Sequence, residues 1–168
     1  IVHYQLDPDL ILLSTGWINS DIQNEESVDF EFDDTNVFNE NRFTGLDRVE
    51  GGPRLSYGIK WGAYGQNGGS SSLFVGQSYR IKSDDTFSPG SGLEDNFSDI
   101  VRRVNISPGN YFDINYRSRL DYQDFSPGMN EVQLIGGPPS IRVTANYSYF
   151  EPQQGSEFGG RDELSGNI

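Results

Sequence analysis

Ile141-Arg142-Val143-Thr144-Ala145-Asn146-Tyr147-Ser148-Tyr149 decides the fold. Its odd-numbered residues are all apolar or aromatic, and its even-numbered ones are all polar or charged. Side chains of an extended strand alternate between two faces, so this stretch is a strand with one apolar and one polar side. The pattern recurs in Leu55–Ala63, where Leu55, Tyr57, Ile59, Trp61 and Ala63 share a face. It recurs again in Tyr111–Asp121, where Phe112, Ile114, Tyr116 and Leu120 oppose Asp113, Asn115, Arg117, Arg119 and Asp121. Weaker versions at Leu73–Lys82, Ile100–Ser107 and Asn130–Ile135 complete a set of six strands.

Turn chemistry separates these strands. Ser107-Pro108-Gly109-Asn110 and Gly136-Gly137-Pro138-Pro139-Ser140 are short, whereas Ser83–Asp99 is long and polar. Gly65–Ser72 and Tyr122–Met129 are intermediate. In an up-and-down meander the connections alternate between two ends. The two shortest then fall at one end and the longest at the other, the asymmetry of outer-membrane barrels. Strand length agrees, because a tilted strand needs roughly 9–11 residues to cross a bilayer and globular strands have about 5–6. The expected fold is all-β: an antiparallel up-and-down meander, part of a transmembrane outer-membrane β-barrel. Residues 1–54 read as a mostly extracellular-loop segment with a short strand at Ser27–Asp34. Residues 55–150 read as a six-stranded barrel segment, and residues 151–168 as a polar loop or truncated end.

Composition narrows the function. The 168 residues have a mean hydropathy of −0.60. No apolar run approaches the roughly 18 residues of a membrane helix. A barrel escapes that exclusion, because alternation hides its apolar half. A net charge of −13 excludes a basic nucleic-acid footprint. Cysteine is absent and His3 is the one histidine, which excludes thiolate and multi-histidine metal sites. The acidic run Asp29, Glu31, Asp33, Asp34 lacks the spacing of a calcium loop and reads as a solvated loop. No nucleophile–base pair emerges. No catalytic residue, metal or cofactor is expected, and the chain reads as non-enzymatic.

If the apolar faces meet lipid, Lys60, Arg103, Asp113, Arg117, Arg119, Asp121, Glu131 and Arg142 point into a water-filled lumen, where mixed charges stay solvated. Arg102 falls on the outward face near the long-loop end. A lipid-facing arginine costs about 0–1 kcal/mol near the interface, against about 2–4 kcal/mol at the bilayer centre. It is expected to snorkel there without a specific partner, in preference to meeting a lipid phosphate. Trp61 and Tyr149 are expected in aromatic girdles at opposite interfaces.

Upstream of Leu55 the chain contains Phe32-Asp33-Asp34-Thr35-Asn36-Val37-Phe38, then Asn41-Arg42-Phe43-Thr44-Gly45-Leu46-Asp47-Arg48-Val49-Glu50-Gly51-Gly52. With Gly76-Gln77-Ser78-Tyr79-Arg80, Ser91-Gly92-Leu93, Ser98-Asp99 and Asn130-Glu131, this resembles the lipopolysaccharide-assembly outer-membrane family LptD (organic solvent tolerance protein), in its alphaproteobacterial form. The resemblance spans at least residues 24–131, and Leu46-Asp47-Arg48 is its most specific part. It implies a stretch of the family's C-terminal barrel in the outer membrane of a Gram-negative bacterium. It also implies lipopolysaccharide as the molecule transported, the plug lipoprotein LptE and outer-membrane lipids as partners, and periplasmic Lpt bridge proteins reached through an N-terminal domain. The alternatives from the residues themselves are a small porin-like or adhesion barrel, and a soluble acidic β-sandwich that binds a partner.

Overall fold

The computed structural model describes residues 32–39, 53–65, 68–81, 87, 90–152 and 160–168 in full, and the backbone of 4–9 and 12–16. Among the described residues nine strands form one antiparallel sheet. They are β1 (Tyr4–Asp9), β2 (Leu12–Gly16), β3 (Arg54–Gly65), β4 (Ser70–Arg80), β5 (Ile100–Ser107), β6 (Phe112–Leu120), β7 (Pro127–Gly136), β8 (Val143–Phe150) and β9 (Arg161–Asn167). From β3 to β9 each strand pairs with the next, as a meander requires. β1 and β2 lie end to end along the other edge of β3, β1 against Lys60–Gly65 and β2 against Arg54–Tyr57. Pro8, which has no N–H to donate, is accommodated on this edge.

All six expected strands are present, within a few residues at each end. Three further strands lie outside them. β1 and β2 occupy part of the expected loop segment, and β9 occupies the expected polar end. β9 (Arg-Asp-Glu-Leu-Ser-Gly-Asn) has Leu164 as its single large apolar residue, so no periodicity marks it. Backbone pairing from Phe150↔Arg161 to Thr144↔Asn167 holds it in place. The short strand expected at Ser27–Asp34 lies mostly outside the described residues. Its described end is a turn, closed by the Asp33 carboxylate accepting from the Thr35 and Asn36 N–H groups at 2.7 and 3.2 Å.

The connections sort by end more sharply than expected. On one side four, four and six residues connect β3 to β4, β5 to β6 and β7 to β8. On the other, nineteen, six and ten residues connect β4 to β5, β6 to β7 and β8 to β9.

Register assigns the faces. One row reads Trp61–Leu73–Val104–Tyr116–Val132–Tyr147–Leu164, and the next Ala63–Ser71–Ile106–Ile114–Leu134–Ala145. This face stays largely uncovered, with Leu134 47% exposed, although Ala63 is buried and Phe97 stacks on Tyr79 towards the long-loop end. Leu73, Ile106, Ile114, Tyr147 and Leu164 are also exposed. The opposite face carries Lys60–Phe74–Arg103–Arg117–Glu131–Ser148–Glu163. The buried core sits on that charged side: Phe32, Val37, Phe87, Leu93 and Val101, with Phe38 and Phe74 against them. The segments before β3 and before β5 therefore fold in over the upper part of the polar face, where open water was expected.

Candidate functional site

The polar face has two zones. In the zone nearer the short turns, side-chain amides form a ladder across the strands. Asn115 donates to Gln133 at 3.0 Å, Gln133 to Asn146 at 2.9 Å, and Asn146 to Ser165 at 3.4 Å. Asn105 donates to Ser72 at 3.3 Å in the same row. The row lines a groove of about 460 Å³, shared with Arg117, Glu131 and Ser148. Each of these residues stands at a polar position of the alternation, and directly opposed positions on neighbouring strands bring their amides into contact.

Above the ladder stands an ionic lattice. Arg117 bonds Asp34 and Glu131 at 2.8 Å each and also pairs with Asp33. Arg103 pairs with Asp34, whose side chain is 2% exposed. The Asp33–Asp34 corner is thus locked to β5 and β6, where a solvated acidic loop was expected. A buried carboxylate is tolerable when it meets guanidinium groups on several sides, because their attraction offsets the lost hydration. Nearer the short turns, Asp113 accepts from the Ser107 hydroxyl at 2.7 Å and faces Arg142 at 3.3 Å.

Arg119 departs furthest from expectation. It lies on the predicted face but is 1% exposed, enclosed by the segment that precedes β5. It donates to the backbone carbonyls of Gly90 and Ser91 at 2.9 and 3.0 Å and approaches Asp99 at 3.3 Å. Gly92, at φ +80°, makes room: a Cβ there would sit 2.8 Å from Arg119 Cδ and 2.9 Å from the Asp99 carboxylate. Asp121 also differs, because it follows the end of β6. Its carboxylate accepts from the N–H groups of Gln123 and Asp124 at 2.6 and 3.1 Å, capping the β6–β7 turn. Lys60 lies on the predicted face and is exposed.

Asp99, in the loop before β5, has its carboxyl pushed up to about 7. Burial is the main cause; Arg119 pulls the other way, and Glu94, Asp121 and Glu151 reinforce the rise. A raised carboxyl pKa favours the protonated form in the folded state, so its stabilising effect is present at low pH. That effect is lost as pH rises from about 4 towards 7. Amide exchange protection around Gly92–Asp99 in the detergent-solubilised full-length protein should therefore be weaker at pH 8 than at pH 5. Asp99→Asn should flatten the dependence, and an unchanged pH profile in that variant would contradict the assignment.

On the apolar face Trp61 and Tyr149 both point outward, Trp61 mid-strand beside Leu73 and Tyr149 beside Asn130. Arg102 lies outward as expected, but where no specific partner was expected it donates to the Ser118 and Tyr116 hydroxyls.

No group of three or more metal-ligating side chains occurs among the described residues. Sequence periodicity finds the wall arginines but misses Asp33, Asp34 and Asp99 as their partners. Their only local signal is an Asx-type turn and a serine–aspartate pair.

A single antiparallel sheet, bare and apolar on one face and ion-paired on the other, with short and long connections at opposite ends, is the wall of a barrel of the outer-membrane type. The chain matches the family model LptD, LPS transport system D, over residues 8–164, and it belongs to that family. Membership gives it a role in lipopolysaccharide transport, in a family of Gram-negative outer-membrane proteins. No curated protein matches the chain.

Proposed function

We propose that this chain forms part of a non-enzymatic barrel wall that passes lipopolysaccharide to the outer leaflet of the outer membrane. The observation that carries the reading is the polar face: an amide ladder beside an arginine–carboxylate lattice, backed by a bare apolar face. Sugar hydroxyls need donors and acceptors together, which Asn115, Gln133 and Asn146 supply. Phosphates need guanidinium groups, which Arg142, exposed beside Asp113, supplies, and Arg117 supplies on exchanging one of its carboxylate partners. The segments at Phe32–Asn39 and Gly90–Asp99 lie over the upper lumen. The Asp33–Asp34 ion pairs hold the first of these segments to the wall. The plug lipoprotein LptE in the lumen, Lpt bridge proteins on the periplasmic side and outer-membrane lipids around the wall belong to the same proposal.

Charge reversal of both Arg117 and Arg142 to Glu in the full-length protein tests it. Surface lipopolysaccharide should fall severalfold while the barrel still shows heat-modifiable mobility on a gel. Unchanged surface lipopolysaccharide in a folded double variant would overturn the assignment of this face to transport.

A further inference from the structure

Arg102 is the third residue of β5 and stands on the apolar face, in the row Ile59–Val75–Arg102–Ser118–Asn130. Its Nε donates to the Ser118 hydroxyl and its Nη2 to the Tyr116 hydroxyl at 3.3 Å. Tyr116 in turn donates to Asn130 at 2.8 Å, which fixes the ring under the guanidinium, 5.6 Å away. On the other face Arg103, Arg117, Arg119 and Arg142 each meet a carboxylate. Among the described residues Arg102 meets none. This is a chain with 25 carboxylates and 12 cations, so a cation held by hydroxyls alone is conspicuous. Two of its five N–H donors are engaged, and the others are open to an anion.

An apolar groove of about 330 Å³ lies beside it, lined by Tyr57, Ile59, Val75 and Ile100 with Gly58 and Gly76 between them. The groove lies where the pairing of β4 with β5 ends, at Gly76↔Val101, and Gln77 lines it as well. Val75 is the direct register partner of Arg102, so the groove wall and the cation are neighbours. Arg102 also sits only about 7 Å along the strand from the long-loop end of β5, at the boundary of the apolar rows.

We propose that this is a docking site for a phosphate-bearing lipid of the surrounding leaflet, with an acyl chain in the groove and the phosphate on Arg102. Tyr116 and Ser118 orient the guanidinium, and the groove selects hydrocarbon over a protein carboxylate. The proposal rests on the apolar face meeting lipid; it is independent of passage through the lumen.

The test is native mass spectrometry of the detergent-purified full-length protein titrated with dioleoyl phosphatidic acid, with dioleoylglycerol as the uncharged control. Wild type should bind one phosphatidic acid tightly and dioleoylglycerol only weakly. Arg102→Gln should weaken the phosphatidic acid by about tenfold, the effect of losing one charged hydrogen-bonding group. Arg102→Lys should keep part of the affinity. Ile59→Trp, which fills the groove and leaves the cation, should also weaken binding. Equal affinity in wild type and a heat-modifiable Arg102→Gln variant would overturn the proposal. Complete displacement by equimolar inorganic phosphate would overturn the acyl-chain part. Arg102→Gln should leave surface lipopolysaccharide unchanged, so failure here is separable from failure of the lumenal reading.

Discussion

Arg119→Ala should destabilise the folded wall by about 3–5 kcal/mol, the range for removing one partner of a buried charge pair. Three costs combine. The Gly90 and Ser91 carbonyls lose their guanidinium donors inside the protein. Asp99 loses the cation that opposes its burial. The space between Gly92 and Gly128, which the Arg119 side chain fills, becomes a cavity. Arg119→Lys should recover only part of the loss, because one ammonium cannot fork between two carbonyls and a carboxylate. The measurement is the urea midpoint of the heat-modifiable form of the full-length protein. Limited proteolysis should cut Gly90–Asp99 faster in the alanine variant. A midpoint within about 0.5 kcal/mol of wild type, the usual scatter of a surface substitution, would show that Arg119 contributes no such anchor.

The second large effect distinguishes the faces. Val132→Arg places a cation in the mid-strand apolar row, between Tyr116 and Tyr147. At bilayer mid-depth that should cost about 2–4 kcal/mol. Ser148→Arg, on the opposite face, should cost far less, because it enters the polar groove between Glu131 and Glu163. Folding into lipid vesicles, followed by urea titration, measures both. Equal costs would mean that the exposed apolar face does not meet lipid. A net gain at Val132 would reverse the orientation of the wall.

Much of this sheet is legible residue by residue. Ile141–Tyr149 announces its two faces without help, and the structure places Ala145 with Leu134 and Asn146 with Gln133 as parity demands. β5 is expected at Ile100–Ser107 and is found there. β9 is not legible, because Arg161–Asn167 has no alternating apolar set and is held by pairing with β8 alone. Among the predicted lumen charges, Arg103, Arg117, Glu131, Asp113 and Arg142 do share one side, joined by ion pairs. Asp121 escapes it because β6 ends one residue earlier, with a register shift between Arg119 and Leu120. Parity alone carries no information about where a strand stops.

By itself the sequence determined six of the nine described strands, which side each of the six faces and which end carries the short turns, because alternation and turn chemistry act between near neighbours. Tertiary structure alone decided what the inward charges meet. Asp33 and Asp34 reach Arg117 across 84 and 83 positions of chain, and Arg119 disappears beneath a segment 28 residues away. Such contacts depend on how long connections fold back over a twisted sheet, where the gain from pairing charges and covering Phe32, Leu93 and Val101 outweighs the entropy of leaving those connections in water.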